Sequence, residues 1–246
     1  MVTQDRNSPR CGPAQWRTAR KGIPRETLTD HYILWESDDP IPDDQARTTE
    51  AYHTVMKEIA AGDGHISKWT EYVRQLAQIF SAYDVKRDIK LQPGMCALLT
   101  LQEGKLGELI AKKTIHLYHS LLGPYFTIFG VDEVYYHNGY HVTLQFDPVI
   151  TAAPIEEYGQ VFTQLLNYHQ THFKASLFMP FEIARLQYPG LRTGWSTHQG
   201  DNCWLEALFT NIDFGQYSFR GDLSFGTDEW LDTPPNGGSW TAYPPE

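Results

Sequence analysis

At 246 residues, with 41% hydrophobic and 13% aromatic side chains, the chain can bury one large core or two small ones, and disorder of its body is excluded. Its formal charge of −10, from 30 acids against 20 bases, disfavours nucleic acid and anionic membrane as partners and favours basic ones. No apolar run reaches the roughly eighteen residues of a membrane-spanning helix, and Cys11, Cys96 and Cys203 are too widely spaced for a disulfide framework or a zinc pattern.

The charge is unevenly sorted. Residues 1–25 carry Arg6, Arg10, Arg17, Arg20, Lys21 and Arg25 against Asp5 alone, and mix Pro and Gly without periodicity. They read as a flexible basic arm with Trp16 as its anchor. Residues 26–232 read as a single α+β domain, and 233–246, with four prolines, as an extended tail. A cytoplasmic location is expected, with no cofactor and no metal. Oligomeric state is not legible at this level.

A strand is expected at Leu28–Trp35, followed by an acidic linker holding Glu36, Asp38, Asp39, Asp43 and Asp44. Asp43 or Asp44 can cap a helix whose apolar positions, Tyr52, Val55, Met56 and Ile59, recur at helical spacing and end near Gly62. Ile66, Trp69, Val73, Leu76, Phe80 and Tyr83 mark a second amphipathic helix, joined to the first by Gly62-Asp63-Gly64. Together these helices could form an N-terminal lobe over 44–90.

Met95–Leu101 reads as a strand and Gly104–Leu122 as a helix stopped by Gly123-Pro124. Tyr125–His137 and Tyr140–Phe146 are rich in β-branched and aromatic residues around Asn138-Gly139, the pair that supplies positive φ most cheaply in a two-residue type I′ hairpin. Pro154–Phe173 reads as an amphipathic helix. Trp204–Phe209 and Tyr217–Phe225 suggest short strands. The expected class is therefore α+β, with amphipathic helices packed on an antiparallel sheet that includes the Asn-Gly hairpin.

Chemistry-bearing residues are few. His116 with His119, and His169 with His172, are i, i+3 pairs on expected helices, but neither forms a H-E-x-x-H metal pattern. His169 and His172 fall on the stripe of Phe162, Leu165 and Leu166, which places them at least partly inside. His137 and His141 face opposite sides of the expected hairpin and cannot chelate together. Gly194-Trp195-Ser196-Thr197-His198 lacks the lead-in strand that a nucleophile elbow needs.

The segment Gly200-Asp201-Asn202-Cys203-Trp204-Leu205-Glu206-Ala207-Leu208 resembles the nucleophile loop of papain-like and calpain-like cysteine peptidases, where Cys-Trp opens a helix. That resemblance implies Cys203 as nucleophile and Gln199 near an oxyanion hole. The families place their histidine downstream of the cysteine, whereas none follows Cys203 here. His198 or another upstream histidine would have to serve.

A second resemblance rests on composition. Small acidic α+β immunity proteins, which bacteria make against polymorphic or contact-dependent toxins, look similar. It implies a non-enzymatic inhibitor docking on a basic partner through Asp38, Asp39, Asp43, Asp44, Trp195, Asp222, Asp228, Glu229, Trp230 and Asp232. Trp35, Trp240 and Tyr243 lie in comparable acidic or loop-like stretches.

Overall fold

The computed structural model describes residues 31–32, 49–61, 64–88, 92–137, 142–145, 148–188, 190–193, 202–210 and 218–230. The expected basic arm, acidic linker, Asn138-Gly139 turn and Pro-rich tail lie outside them, as does most of the expected strand at Leu28–Trp35.

Helix α1 spans Glu50–Ala61 and α2 spans His65–Ile79. The first begins later than a cap at Asp43 or Asp44 would place it. The Thr49 hydroxyl accepts the N–H of Tyr52 at 3.3 Å and satisfies a donor that the first turn leaves open. Helix α2 buries Trp69, Tyr72, Val73 and Leu76, one stripe at helical spacing.

Strands β1 (Asp84–Asp88), β2 (Gly94–Leu106), β3 (Leu109–Ser120) and β4 (Tyr125–His137) form an antiparallel meander. The helix expected over 104–122 is therefore two strand segments joined by a turn. Two physical features override the helical reading. Gly107 sits at φ 63 and makes a two-residue turn that brings Leu106 opposite Leu109. Beyond it burial alternates by face: Ile115 and Leu117 join one core cluster and Tyr118 the other, a period of two.

The far edge of β4 is shared by three short strands. They are β5 (Val142–Gln145) and β6 (Val149–Thr151), both antiparallel to β4, and β7 (Leu177–Phe178), parallel to it. Strand β8 (Ser218–Arg220) runs parallel to β6. Among the described residues of the expected strand 217–225 only these three are extended, because Gly221 at φ 95 and the Asp222 turn break the run. The class is α+β, on a mixed and mainly antiparallel sheet.

Helix α3 (Gly159–His172) starts five residues later than expected, after a 3₁₀ turn at Glu156–Tyr158. It packs with α2 on one face of the sheet, against Ala97, Leu99, Ile115, Leu117, Phe126 and Ile128. The opposite face, led by Cys96, Tyr118, Phe129 and Val131, is covered by α4 (Phe181–Ala184), α5 (Trp204–Leu208) and residues of α1. Segment 204–208 was expected as strand. All five of its residues are buried, so no amphipathic period distinguishes helix from strand in the sequence. Gly94 is needed where β2 passes α5, since a Cβ there would lie 2.6 Å from the Phe209 carbonyl oxygen. Among the described residues no helix is long and apolar enough to cross a membrane.

Candidate functional site

The densest group of perturbed side chains lies between α2, α3 and β3. His119 is on β3, facing the same side as Ile115 and Leu117. His169 is on α3 and Tyr72 on α2. The Tyr72 hydroxyl lies 3.0 Å from His169 Nδ1, and His169 Nε2 lies 3.1 Å from His119 Nδ1. One assignment of hydrogens satisfies the whole chain: Tyr72 donates to His169, the Nε2–H of His169 donates to His119, and His119 keeps its own Nε2–H for the outer end. Aromatic rings wall the chain. Phe126 is 4.2 Å and Phe173 4.8 Å from the His169 ring, and Trp69 stacks on His119 while donating to the Cys96 carbonyl at 3.3 Å.

That enclosure fixes protonation. Burial first, and then the neighbouring His119 and His172, push His169 down to about 2. Burial and the nearby His65 push His119 down to about 4. Burial also raises Tyr72 well above the ordinary phenol range, so it remains a donor. At neutral pH the chain is uncharged, with a half-buried imidazole at its outer end. Such a relay can orient a proton donor, but no hydroxyl or thiol nucleophile is hydrogen-bonded to it among the described residues.

Sequence reasoning placed His169 inside but did not pair it with His119, because it set His119 and His116 on one helix. As strand residues three apart they point to opposite faces, and His116 instead stacks on Phe129. His172 is exposed. Among the described residues no three His, Cys, Asp or Glu side chains converge as a metal site would require.

A second cluster surrounds Arg220, the sole base in residues 201–246. Its guanidinium reaches Asp132 at 3.0 Å, Glu157 at 3.1 Å, Glu156 at 3.2 Å and the Thr151 hydroxyl at 2.7 Å, and lies over the Tyr158 ring. Lys113 pairs with Glu157, and the Tyr158 hydroxyl donates to Asp132. Hydrogen bonds from Lys113 are the main reason that the Glu157 carboxyl sits low, at about 2. Glu156 holds a left-handed φ of 46, a conformation that costs a non-glycine residue roughly 1 kcal/mol or more.

The remaining expected site residues are scattered. Cys203 caps the start of α5 and is buried, with its backbone N–H donating to the Glu206 carboxylate at 2.8 Å. Trp230 is also buried, and its indole donates to the Phe178 carbonyl at 3.0 Å, so its ring belongs to the core rather than to a surface. Asp222 and Asp228 are exposed, and Asp222 accepts from the N–H and hydroxyl of Ser224. Glu229 ends the 3₁₀ turn Thr227–Glu229. Asp38, Asp39, Asp43, Asp44, Trp195, His198, Gln199 and Asp232 lie outside the described residues. No protein-family model, curated protein or solved structure matches the chain.

Proposed function

We propose that this chain is a non-enzymatic acidic binding protein that docks on a basic protein partner, in the manner of a bacterial toxin-neutralising immunity protein. The observation that carries the reading is a gathering of acids at one end of the sheet. Strands β6 and β8 are parallel, so the chain leaves both at the same end. Residues 152–155 then lie beside Arg220 and Gly221: the Ala152 N–H donates to the Arg220 carbonyl, and a Cβ on Gly221 would lie 3.4 Å from the Ile155 side chain. The stretches that follow the two strands carry Asp222 and Asp228, both exposed, while Arg220 is taken up by Asp132, Glu156 and Glu157.

A rim of fixed carboxylates speeds encounter with a cationic surface and selects against anionic ones. The described residues hold 16 acids and 12 bases, so position matters here more than bulk charge. The test separates the two. A cationic ribonuclease serves as probe protein, and binding is followed by titration calorimetry at low and moderate salt. Reversing Asp222 and Asp228 to Lys is expected to weaken binding at least about tenfold and to flatten its salt dependence. Reversing Glu50 and Glu108, which changes net charge equally elsewhere, is expected to cost far less. Equal losses from both pairs would leave only general acidity and overturn the reading.

A cysteine hydrolase built on Cys203 is the second reading, favoured by the position of that residue at the first turn of α5. The Glu206 carboxylate opposes it: the Cys203 sulfur accepts the N3 backbone N–H in the capping box, but the carboxylate held on the Cys203 N–H sets a negative charge beside any thiolate.

A further inference from the structure

Strand β2 outruns its neighbour. Strand β1 pairs with it only as far as Asp84 opposite Thr100, and the register shift between Thr100 and Gln102 marks a bulge there. Residues 101–106 continue beside β3 to the turn at Gly107-Glu108, and among the described residues nothing pairs with their other side. An open backbone edge of this length templates strand addition unless it is blocked.

The sequence of this edge fits itself. The two-residue turn closes on the pair Leu106–Leu109, so residues 102, 104 and 106 direct their N–H and C=O groups towards β3. Residues 103 and 105 direct theirs outward. A second copy running antiparallel, with a two-fold axis at Gly104, places Glu103 opposite the partner's Lys105 and Lys105 opposite the partner's Glu103, as hydrogen-bonded pairs. Gly104 then meets its own copy at the closer, non-hydrogen-bonded spacing. Nothing lies within 4 Å of a Cβ built there, and a glycine in a strand marks such an approach of another backbone.

Charge across the sheet agrees with this register. Glu133, Lys112 and Glu103 are directly paired across β4, β3 and β2 and share one face. A cation at the next position continues that alternating row, and the partner's Lys105 supplies it. On the other face Leu106, 80% exposed, comes opposite the partner's Gln102 and beside its bulged neighbour Leu101, which packs on the helix-side core. The space is also bounded correctly. The notch between the end of β1 and the tip of the hairpin holds one partner tip, so pairing stops after a single second copy.

We infer that residues 101–107 form a self-complementary edge through which two copies of this chain join their sheets about a two-fold axis at Gly104. Sedimentation equilibrium of the full chain is expected to report a species of twice 28.2 kDa. Glu103→Lys and Lys105→Glu each place like charges opposite one another and are expected to weaken association by about tenfold or more. The double variant restores opposite charges and is expected to return to within about threefold of the parent. Both sites are exposed, so circular dichroism should show an unchanged fold. Gly104→Cys, oxidised in air, is expected to give a covalent dimer that the parent and Gly107→Cys do not form. A monomer at every concentration without Gly104→Cys cross-linking overturns the inference. So does a dimer that ignores the single reversals, or a double variant as weak as either single one.

Discussion

The two faces of the sheet hold their most deeply buried polar groups by opposite means. On the α2/α3 face the buried polar chain is neutral, with a phenol and two imidazoles held uncharged by aromatic walls. On the α4/α5 face it is ionic: Arg185 binds Glu182 through two hydrogen bonds, and Glu206 holds the start of α5. A neutral chain is stable only while protons stay off it, whereas a buried ion pair is stable only while both partners remain. Acid should therefore loosen the first face, and loss of a charge the second.

The largest expected effect is the acid one. Both imidazoles titrate lower in the folded chain than the ordinary histidine value of 6.5. The unfolded chain therefore binds their protons first, and stability is full above pH 6.5 and falls below it. Each histidine costs roughly 1.4 kcal/mol per pH unit, or up to about 5 kcal/mol for the pair by pH 4.5. Urea midpoints at pH 7.5 and 4.5 measure this. His169→Gln keeps an acceptor for Tyr72 and should lose about half as much over the same interval. A parent whose midpoint does not move would refute the neutral chain.

On the other face, Glu182→Gln should cost about 3 kcal/mol at pH 7.5, because it strips the carboxylate from an Arg185 side chain that is only 13% exposed. A loss below about 1 kcal/mol would make that pair equivalent to a surface one. Gly130→Ala tests the sheet between the faces. Its Cβ would fall 2.5 Å from the Tyr158 ring, which Asp132 anchors, so a destabilisation of about 2 kcal/mol is expected in thermal melts. The smallest effect belongs to Cys203. As a buried residue it should react with iodoacetamide only as the chain opens, and Cys203→Ala should cost about 1 kcal/mol. Rapid labelling of the folded protein at mildly acidic pH would instead revive the hydrolase reading.

Legibility in the sequence followed amphipathicity. The α2 stripe was readable because only one of its faces is apolar, and β4 because β-branched and aromatic residues crowd a run bounded by turns. Residues 104–122 misled because Leu106, Leu109 and Ile110 imitate helical spacing, while the decisive signal, a glycine in left-handed conformation at 107, appears only in the backbone. Helix α5 is buried on every side and carries no period at all. The histidine chain was half legible: the apolar stripe located His169, but its partner His119 comes from a strand fifty residues earlier in the chain. The Arg220 cluster had one visible sign, a lone base amid acids, yet its carboxylates converge only through the pairing of β4, β6 and β8.

The way β4 divides its outer edge among three short strands also sets an order of assembly. Strands β2, β3 and β4 are joined by short connections and can form with little loop closure, whereas Thr151 meets Arg220 across 69 residues. Amide hydrogens of the β3–β4 ladder should be the last to exchange, and those of β6–β8 among the first. The end of the sheet that holds Arg220 and its carboxylates would then open while the meander behind it stays closed, so the part of the chain that folds last is also the first to move.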